Sequence, residues 1–281
     1  MKPVAFEYVA ARSLEEAIEA IGRDEDAKPI AGGQSLVPAL NMRLVRPTLL
    51  VDLNRAGLDG IESDGVLRVG ATVRQTTLEH DVRAHPLLRE AMPFVGHFVT
   101  RNRGTVGGSV AHADGSAEIP LCLSALGGTI VAEGPRGRRE IDPDAFFVTH
   151  FLTTLEPGEL VVETLWPPPE EFEGAAFEEF ALRAGDYALS MVAVVVKRVE
   201  DMAADVRIRI GAVTDRPTGF ADVEAALDGS FVTPAVAREA GALAAAAVDP
   251  GGSIHATPEY LRALTGTLVE RALLRAWERA A

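Results

Sequence analysis

The stretch Thr105–Pro120, TVGGSVAHADGSAEIP, holds three glycines, one proline and two carboxylates in a chain of 281 residues whose formal net charge is −14. A shorter segment of the same kind, Ala31–Pro38, AGGQSLVP, lies about seventy residues earlier. Glycine permits positive φ and lets backbone approach a ligand closely. Successive N–H groups in such a segment form a concave anion site that needs no lysine. A helix starting directly afterwards adds the positive end of its dipole. Both segments precede helical patterns. Each therefore reads as a place where backbone donors hold a diphosphate in spite of the acidic chain. A pair of plain tight turns is the other reading of the same pattern.

The carboxylates narrow the choice. With Ser116 as the cap of a helix over 117–126, Glu118 falls in the first turn, beside the glycines, and Asp114 lies at the same place. Acidic side chains at dinucleotide sites accept hydrogen bonds from sugar hydroxyls; helix capping is the plainer role. Other chemistry is missing from the sequence. There is no P-loop, no G-x-G-x-x-G after the first strand and no G-x-S-x-G elbow. None of the six histidines pairs with another at helical spacing, so no metal site is predicted. No catalytic nucleophile or base is identified, and the chain reads as a holder of a cofactor.

Composition sets the outer bounds. Hydrophobic residues are 47% and charged residues 24%, the profile of a soluble globular protein. The start, MKPVAFEYVA, lacks a secretory apolar core, and the longest apolar run, around ALSMVAVVVK, is short of the ~20 residues that span a bilayer. A cytoplasmic protein without a membrane span is expected. The acidic balance, with no basic stripe, argues against a nucleic-acid partner. The single cysteine, Cys122, excludes a disulfide within the chain and a four-cysteine cluster, and its apolar neighbours PLCLSAL predict a buried thiol.

Working outward, AFEYV reads as a strand, and Ser13 with Glu16 as a capping box before a helix over 14–21. KPIA is a strand leading into Gly32 and Gly33, and Leu36, Leu40 and Leu44 then recur at helical spacing. LLVDL and VLRVGATV read as strands, Thr76 and Glu79 as another capped helix, and PLLREAMPFVGHFV as one longer helix ending before Arg101. Gly127 and Gly128 stop the helix after Glu118. TIVAE and RREI fit a hairpin, Asp142-Pro143 a helix start, and ELVVETLWP a strand. The acidic, proline-rich PPPEEFEGA, residues 167–175, is the candidate domain boundary. Beyond it FEEFALR, ALSMVAVVVKRV and DVRIRIGAV read as three strands, followed by helical patterns, the last opening at Thr257-Pro258 with Leu261, Leu264, Leu268 and Trp277 on one face. Strands and helices segregated in this way predict an α+β fold.

These segments together resemble one family. FEYVAARSLEEAIEAI, AGGQSLVPALNMRLVRPTLLVDLNR, RNRGTVGGSVAHADGSAEIP and LRAGDYALSMVAVVV, in that order, look like the FAD-binding medium subunit of the molybdenum hydroxylases, the family of carbon monoxide dehydrogenase medium chains and of the flavin part of xanthine dehydrogenase. The resemblance covers essentially the whole chain. It implies a two-part FAD-binding domain of the vanillyl-alcohol-oxidase (PCMH) type over residues 1–170, with subdomains of about 1–55 and 56–170. A C-terminal domain over 176–281, with a three-stranded antiparallel sheet and helices, follows. It implies that Ala31, Gly32, Gly33, Gln34, Ser35 and Leu36 wrap the pyrophosphate, that Thr105, Gly107, Gly108 and Ser109 form a second wall with Ala111 close by, and that Asp114 and Glu118 reach sugar or ribityl hydroxyls. Arg183, Asp186 and Tyr187 would lie around the isoalloxazine ring.

The implied role is electron transfer. FAD in this chain would receive electrons one at a time from two [2Fe–2S] clusters in a small subunit, supplied by a molybdenum-pterin cofactor in a large subunit, and pass them to an external acceptor. A dimer of such heterotrimers is the implied assembly. Two departures from the family pattern stand out: Gln34, where histidine is frequent, and Gly115, where proline is frequent; neither removes a backbone donor. The segment GAVTDRPTG follows the family only loosely. A stand-alone flavin oxidase or reductase, which would turn over alone, and a non-catalytic binding protein, which would not bind flavin, are the rival readings.

Overall fold

Alternating and continuous apolar runs divide this chain into sheets of different exposure, and the computed structural model, which describes residues 2–281, shows where each one lies. In chain order, β1 (Glu7–Ala10) and α1 (Leu14–Gly22) lead to β2 (Lys28–Ile30), α2 (Leu36–Asn41) and β3 (Leu49–Asp52). Next come β4 (Ile61–Ser63), β5 (Leu67–Gly70), α3 (Gln75–Glu79), α4 (Pro86–Ala91), a 3-10 turn at Met92–Phe94, α5 (Phe98–Arg101), α6 (Val106–His112) and α7 (Glu118–Leu126). The middle of the chain continues through β6 (Thr129–Gly134), β7 (Gly137–Ile141), α8 (Pro143–Phe146), β8 (Phe147–Thr149), β9 (Leu152–Thr153) and β10 (Leu160–Trp166). The last part holds β11 (Glu173–Phe180), β12 (Ser190–Val199), β13 (Met202–Gly211), α9 (Ala221–Leu227), α10 (Pro234–Ala247) and α11 (Pro258–Arg279).

The fold is α+β, as the segregation of patterns predicts. Among the described residues only the small first sheet, β1-β3-β2, is parallel. It rests on the five-stranded antiparallel sheet β4-β5-β10-β6-β7, because Leu49, Val51 and Leu53 share a core with Val131, Leu160, Val162 and Leu165. The third sheet, β11-β12-β13, is antiparallel, and β8 with β9 makes a short ribbon.

Strand β12 explains its own sequence. Met191, Ala193 and Val195 enter the core formed with α4, α6 and α7, while Val192, Val194 and Val196 enter the core formed with α10 and α11. A sheet covered on both faces needs apolar residues at every position, which is why MVAVVV, residues 191–196, is unbroken. Gly174 lies so close to α11 that a Cβ there would meet the Ala276 carbonyl oxygen.

Several local expectations hold. Ser13 Oγ accepts from Glu16 N at 3.2 Å, Asp142 Oδ1 from Asp144 N at 2.8 Å and Thr257 Oγ1 from Tyr260 N at 3.3 Å. The β6–β7 hairpin turns at Pro135-Arg136, and Cys122 is fully buried.

Four expectations are corrected. The predicted long helix over PLLREAMPFVGHFV is broken into α4, the 3-10 turn and α5, because Pro93 supplies no N–H and Gly96 turns at φ +49°. The helix expected from Leu36 to Leu44 ends at Asn41, and Leu44 is 73% exposed. Thr76 does not cap α3, which starts one residue earlier with Arg74 at its cap. Ser116 does not cap α7: its N–H donates to Asp114 Oδ1 at 2.9 Å in a tight Asx turn, and Ala117 takes the cap position.

Candidate functional site

The first glycine segment joins β2 to α2, with Gly33 at φ +70°. Among the described residues, the backbone N–H groups of Gly32, Gly33, Gln34 and Ser35 donate to nothing in the chain. Gly32 and Gly33 are half-buried and Gln34 and Ser35 exposed, so four successive free donors at a helix start are open to an outside acceptor. Gln34 does not take them up; its side-chain amide donates to Gly32 O at 3.2 Å.

The second segment is different in kind. Val106 to Ser109 lie in the first turn of α6, and their N–H groups are already used. Val106 N donates to Val73 O at 3.0 Å, Gly107 N to Ala71 O at 3.0 Å, Gly108 N to Thr105 Oγ1 at 3.2 Å and Ser109 N to Thr105 O at 3.1 Å. Its glycines serve close approach. A Cβ on Gly107 would lie 2.5 Å from Ala71 Cβ, and one on Gly108 would lie 2.5 Å from Thr105 Oγ1.

The structure brings the two segments together. A Cβ on Gly32 would sit 2.3 Å from the Arg103 carbonyl oxygen, and one on Gly108 would come within 3.9 Å of Ala31 Cβ. A polar lattice that the sequence reading missed braces the joint. Asn54, just past β3, donates through Nδ2 to Ala31 O at 2.9 Å, and Arg74 donates to Asn54 Oδ1 at 2.6 Å and to Arg103 O. Asp52 in turn accepts from Asn54 N at 2.8 Å. Burial, then the neighbouring Arg103 guanidinium, lowers the Arg74 pKa. Two guanidinium groups held near each other favour an anion between them.

Beyond α6 the chain passes through Ala113 at φ +51° into Asp114 and Gly115. Gly115 N–H donates to His150 Nδ1 at 3.3 Å, beside β8, and the residue packs against the C-terminal part: its carbonyl accepts from Ala212 N at 2.8 Å, and a Cβ would meet the Thr214 and Asp215 carbonyls at 2.8 Å. Glycine here is a steric requirement of this chain. Ala111 is exposed on the outer side of α6.

Glu118 opens α7 and is only 9% exposed, and among the described residues no other residue hydrogen-bonds its side chain. Burial pushes its pKa up to about 7; its own N–H opposes this, Asp114 adds to it and Arg101 opposes it. A second carboxyl, Glu179 on β11, is pushed up to about 8 by burial and then by Glu118, and its Oε2 is buried with no partner. Glu179 lines a cleft of about 320 Å³ with Pro93, Phe94, Phe180, Arg183 and Gly185. No sequence signal singles it out, since EEF at a strand end reads as solvated charge. Gln75 Oε1 is a further buried acceptor without a partner, beside Gly104.

The segment between β11 and β12 carries Arg183, Asp186 and Tyr187, all exposed, and turns at Gly185, which lies against the His97 ring. Tyr187 is 74% exposed, yet its phenol end lies near enough to Asp114 and Glu118 that desolvation first, and the two carboxylates after it, raise its pKa. The residues present fit a dinucleotide with a flavin: free backbone donors for a diphosphate, the Glu118 and Glu179 carboxyls for hydroxyls, and an exposed aromatic, Tyr187, two residues beyond Gly185 of the cleft lining. Among the described residues, no group of three or more His, Cys, Asp or Glu is placed to hold a metal ion.

Comparison with known proteins identifies the family of the chain. Residues 4–169 match the family described as FAD binding domain in molybdopterin dehydrogenase, and residues 175–276 match the CO dehydrogenase flavoprotein C-terminal domain. The chain is 40% identical to the 6-hydroxypseudooxynicotine dehydrogenase complex subunit alpha of Paenarthrobacter nicotinovorans, over all of this chain and 97% of that one. It is 32% identical to the carbon monoxide dehydrogenase medium chain of Hydrogenophaga pseudoflava, over the full length of both. A crystal structure of quinoline 2-oxidoreductase from Pseudomonas putida 86 superposes with a TM-score of 0.95 at 37% identity, covering 100% of this chain and 99% of that one. The chain thus belongs to the FAD-binding family of the molybdopterin dehydrogenases, joined to the flavoprotein C-terminal domain of the CO dehydrogenases.

Proposed function

We propose that this chain is the medium, FAD-carrying electron-transfer subunit of a molybdenum hydroxylase complex. The observation that carries the reading is the row of four free N–H groups at Gly32–Ser35, braced by Asn54 and Arg74. These donors hold the pyrophosphate, with Ala31 and Leu36 at the ends of the segment. Thr105, Gly107, Gly108 and Ser109 form the opposite wall by letting the backbone come close, and Ala111 borders it. Asp114 and Glu118 accept from sugar-chain hydroxyls. Tyr187, with Arg183 and Asp186, borders the ring. FAD when bound supplies a centre that takes electrons singly and gives them up in pairs.

We divide the chain into an FAD-binding part over residues 1–170, itself split near residue 55, and a C-terminal part over 176–281. The partners in this reading are a large subunit with the molybdenum-pterin cofactor and a small one with two [2Fe–2S] clusters, paired as a dimer of heterotrimers in the cytoplasm. The single buried cysteine agrees with clusters held elsewhere, and among the described residues no helix is long and apolar enough to cross a membrane. The substrate is then chosen in the large subunit.

The test is a fluorescence titration of the flavin-stripped full chain with FAD and with FMN. Tight, FAD-selective binding without turnover by the isolated chain is the expected result. Equal affinity for FMN would remove the diphosphate from the account, and turnover of an organic substrate by the chain alone would replace the subunit reading with a stand-alone oxidase.

A further inference from the structure

Glu179, near the end of β11, lines its cleft of about 320 Å³ together with Pro93, Phe94, Phe180, Arg183 and Gly185. The walls are apolar and firmly held. Phe94 and Phe180 keep 40% and 38% of their surfaces open. Phe94 packs on Phe177 with ring centroids 5.4 Å apart. Arg101 pins the turn that carries Phe94, donating to Val95 O at 3.3 Å and to Gly96 O at 3.1 Å. Gly185, at φ +83°, rests on the His97 ring. In this setting Glu179 Oε2 is buried without a partner. An unpaired buried acceptor is costly, so it points to a partner from outside the chain.

The size and the walls of the cleft define that partner. A volume of about 320 Å³ stands at the small end of ligand sites, with room for one end of a planar ring system and not for a dinucleotide. Apolar walls favour a ring over a sugar chain, whose other hydroxyls would go unpaired against phenyl groups. Burial first, and Glu118 after it, pushes the pKa of Glu179 up to about 8, so at neutral pH the carboxyl keeps its proton. A protonated carboxyl sets one donor beside one acceptor. Its complement is a C=O next to an N–H on one edge of a ring. The flavin ring has such an edge at its pyrimidine end, whereas its dimethylbenzene end offers no polar group.

We propose that this cleft seats the pyrimidine edge of the flavin ring, with Glu179 pairing to the adjacent C=O and N–H of that edge and Arg183 donating to the second carbonyl, beyond the N–H. The inference rests on the FAD reading above. It deepens that reading by giving the ring a binding residue of its own on β11, while the free donors for the diphosphate lie between β2 and α2. Arg183 suits its part because a guanidinium carries donors only.

The experiment is a pair of titrations of the flavin-stripped full chain at neutral pH. FAD is followed by fluorescence, and ADP, which has the diphosphate and no flavin ring, by calorimetry. Glu179→Leu should bind FAD about tenfold more weakly and should bind ADP as the unaltered chain does. Glu179→Gln, whose amide also sets a donor beside an acceptor, should keep its FAD affinity within about threefold. FAD methylated at the ring N–H should lose about the same tenfold on the unaltered chain and bind Glu179→Leu no more weakly than FAD does.

Unchanged FAD affinity in Glu179→Leu would empty the cleft of the ring, and equal losses for FAD and ADP would make Glu179 a residue of the fold alone. A Glu179→Gln chain as weak as Glu179→Leu would remove the donor–acceptor pair. Each of these overturns the inference and leaves the FAD reading standing. A folded, unaltered chain that binds neither FAD nor ADP overturns both.

Discussion

Gly32 shows how much a missing side chain can matter. Its Cα lies against the carbonyl of Arg103, where any Cβ would be 2.3 Å from oxygen, so Gly32→Ala must part the two glycine segments. FAD affinity should fall by about tenfold or more in a fluorescence titration, while the thermal midpoint moves by only a few degrees. An equal loss of both would make the residue a packing glycine alone. Asn54→Ala tests the brace. It removes a 2.9 Å bond to Ala31 O and strands Arg74, so FAD should bind about tenfold more weakly, through faster release. The glycines were legible in the sequence because an absent side chain announces itself. The brace was not, since Asn54 and Arg74 stand twenty positions apart and look like the ordinary polar ends of apolar strands. Glu179 hid for a similar reason, as a carboxylate among carboxylates.

Elements were read well where one signal dominated. The unbroken run of β12, the 135–136 hairpin and the Thr257-Pro258 helix start all came through, because covered faces, tight turns and caps each leave local marks. They failed where two local signals competed. Apolar spacing over 86–99 reads as one helix until Pro93 and Gly96 are weighed against it. The second glycine segment reads as an anion loop until its N–H groups are traced to Ala71, Val73 and Thr105, contacts that no local pattern encodes. The cap of α11 gives a clean test at this scale. Thr257→Ala should cost ~1 kcal/mol and lower the melting temperature by about 2–4 °C. FAD affinity should stay within error, because α11 is packed on the far face of β11-β12-β13; a change in affinity would mean that this helix reaches the cofactor.

At the scale of the whole molecule the third sheet is shared property. One face completes the core that also holds α4, α6 and α7, and the other lies under α10 and α11. Glu90 on α4 adds ion pairs to Arg275 and to Arg279, the latter at 2.6 Å, and Arg209 on β13 joins Ser124 at 3.0 Å and Glu224 at 2.7 Å. The full chain should therefore unfold in urea as one cooperative step, with tryptophan fluorescence and far-ultraviolet circular dichroism giving the same midpoint. Two separated transitions would show that the sheet keeps its structure without its first partner. The order of sequence segments was legible; this sharing of a sheet between two cores was not, because periodicity tells that both faces are covered but not by what.

The small parallel sheet β1-β3-β2 carries a lesson for anyone who would borrow this site. Its strands have three or four residues each, and it gains its footing from Val131, Leu160, Val162 and Leu165 on β6 and β10. The octapeptide AGGQSLVP transplanted into another protein would bring the free donors without the shelf that aims them, and should leave its host indifferent to flavin. That shelf in turn shares its core with Met191, Ala193 and Val195 of β12, so the smallest portable unit runs from β1 through β13.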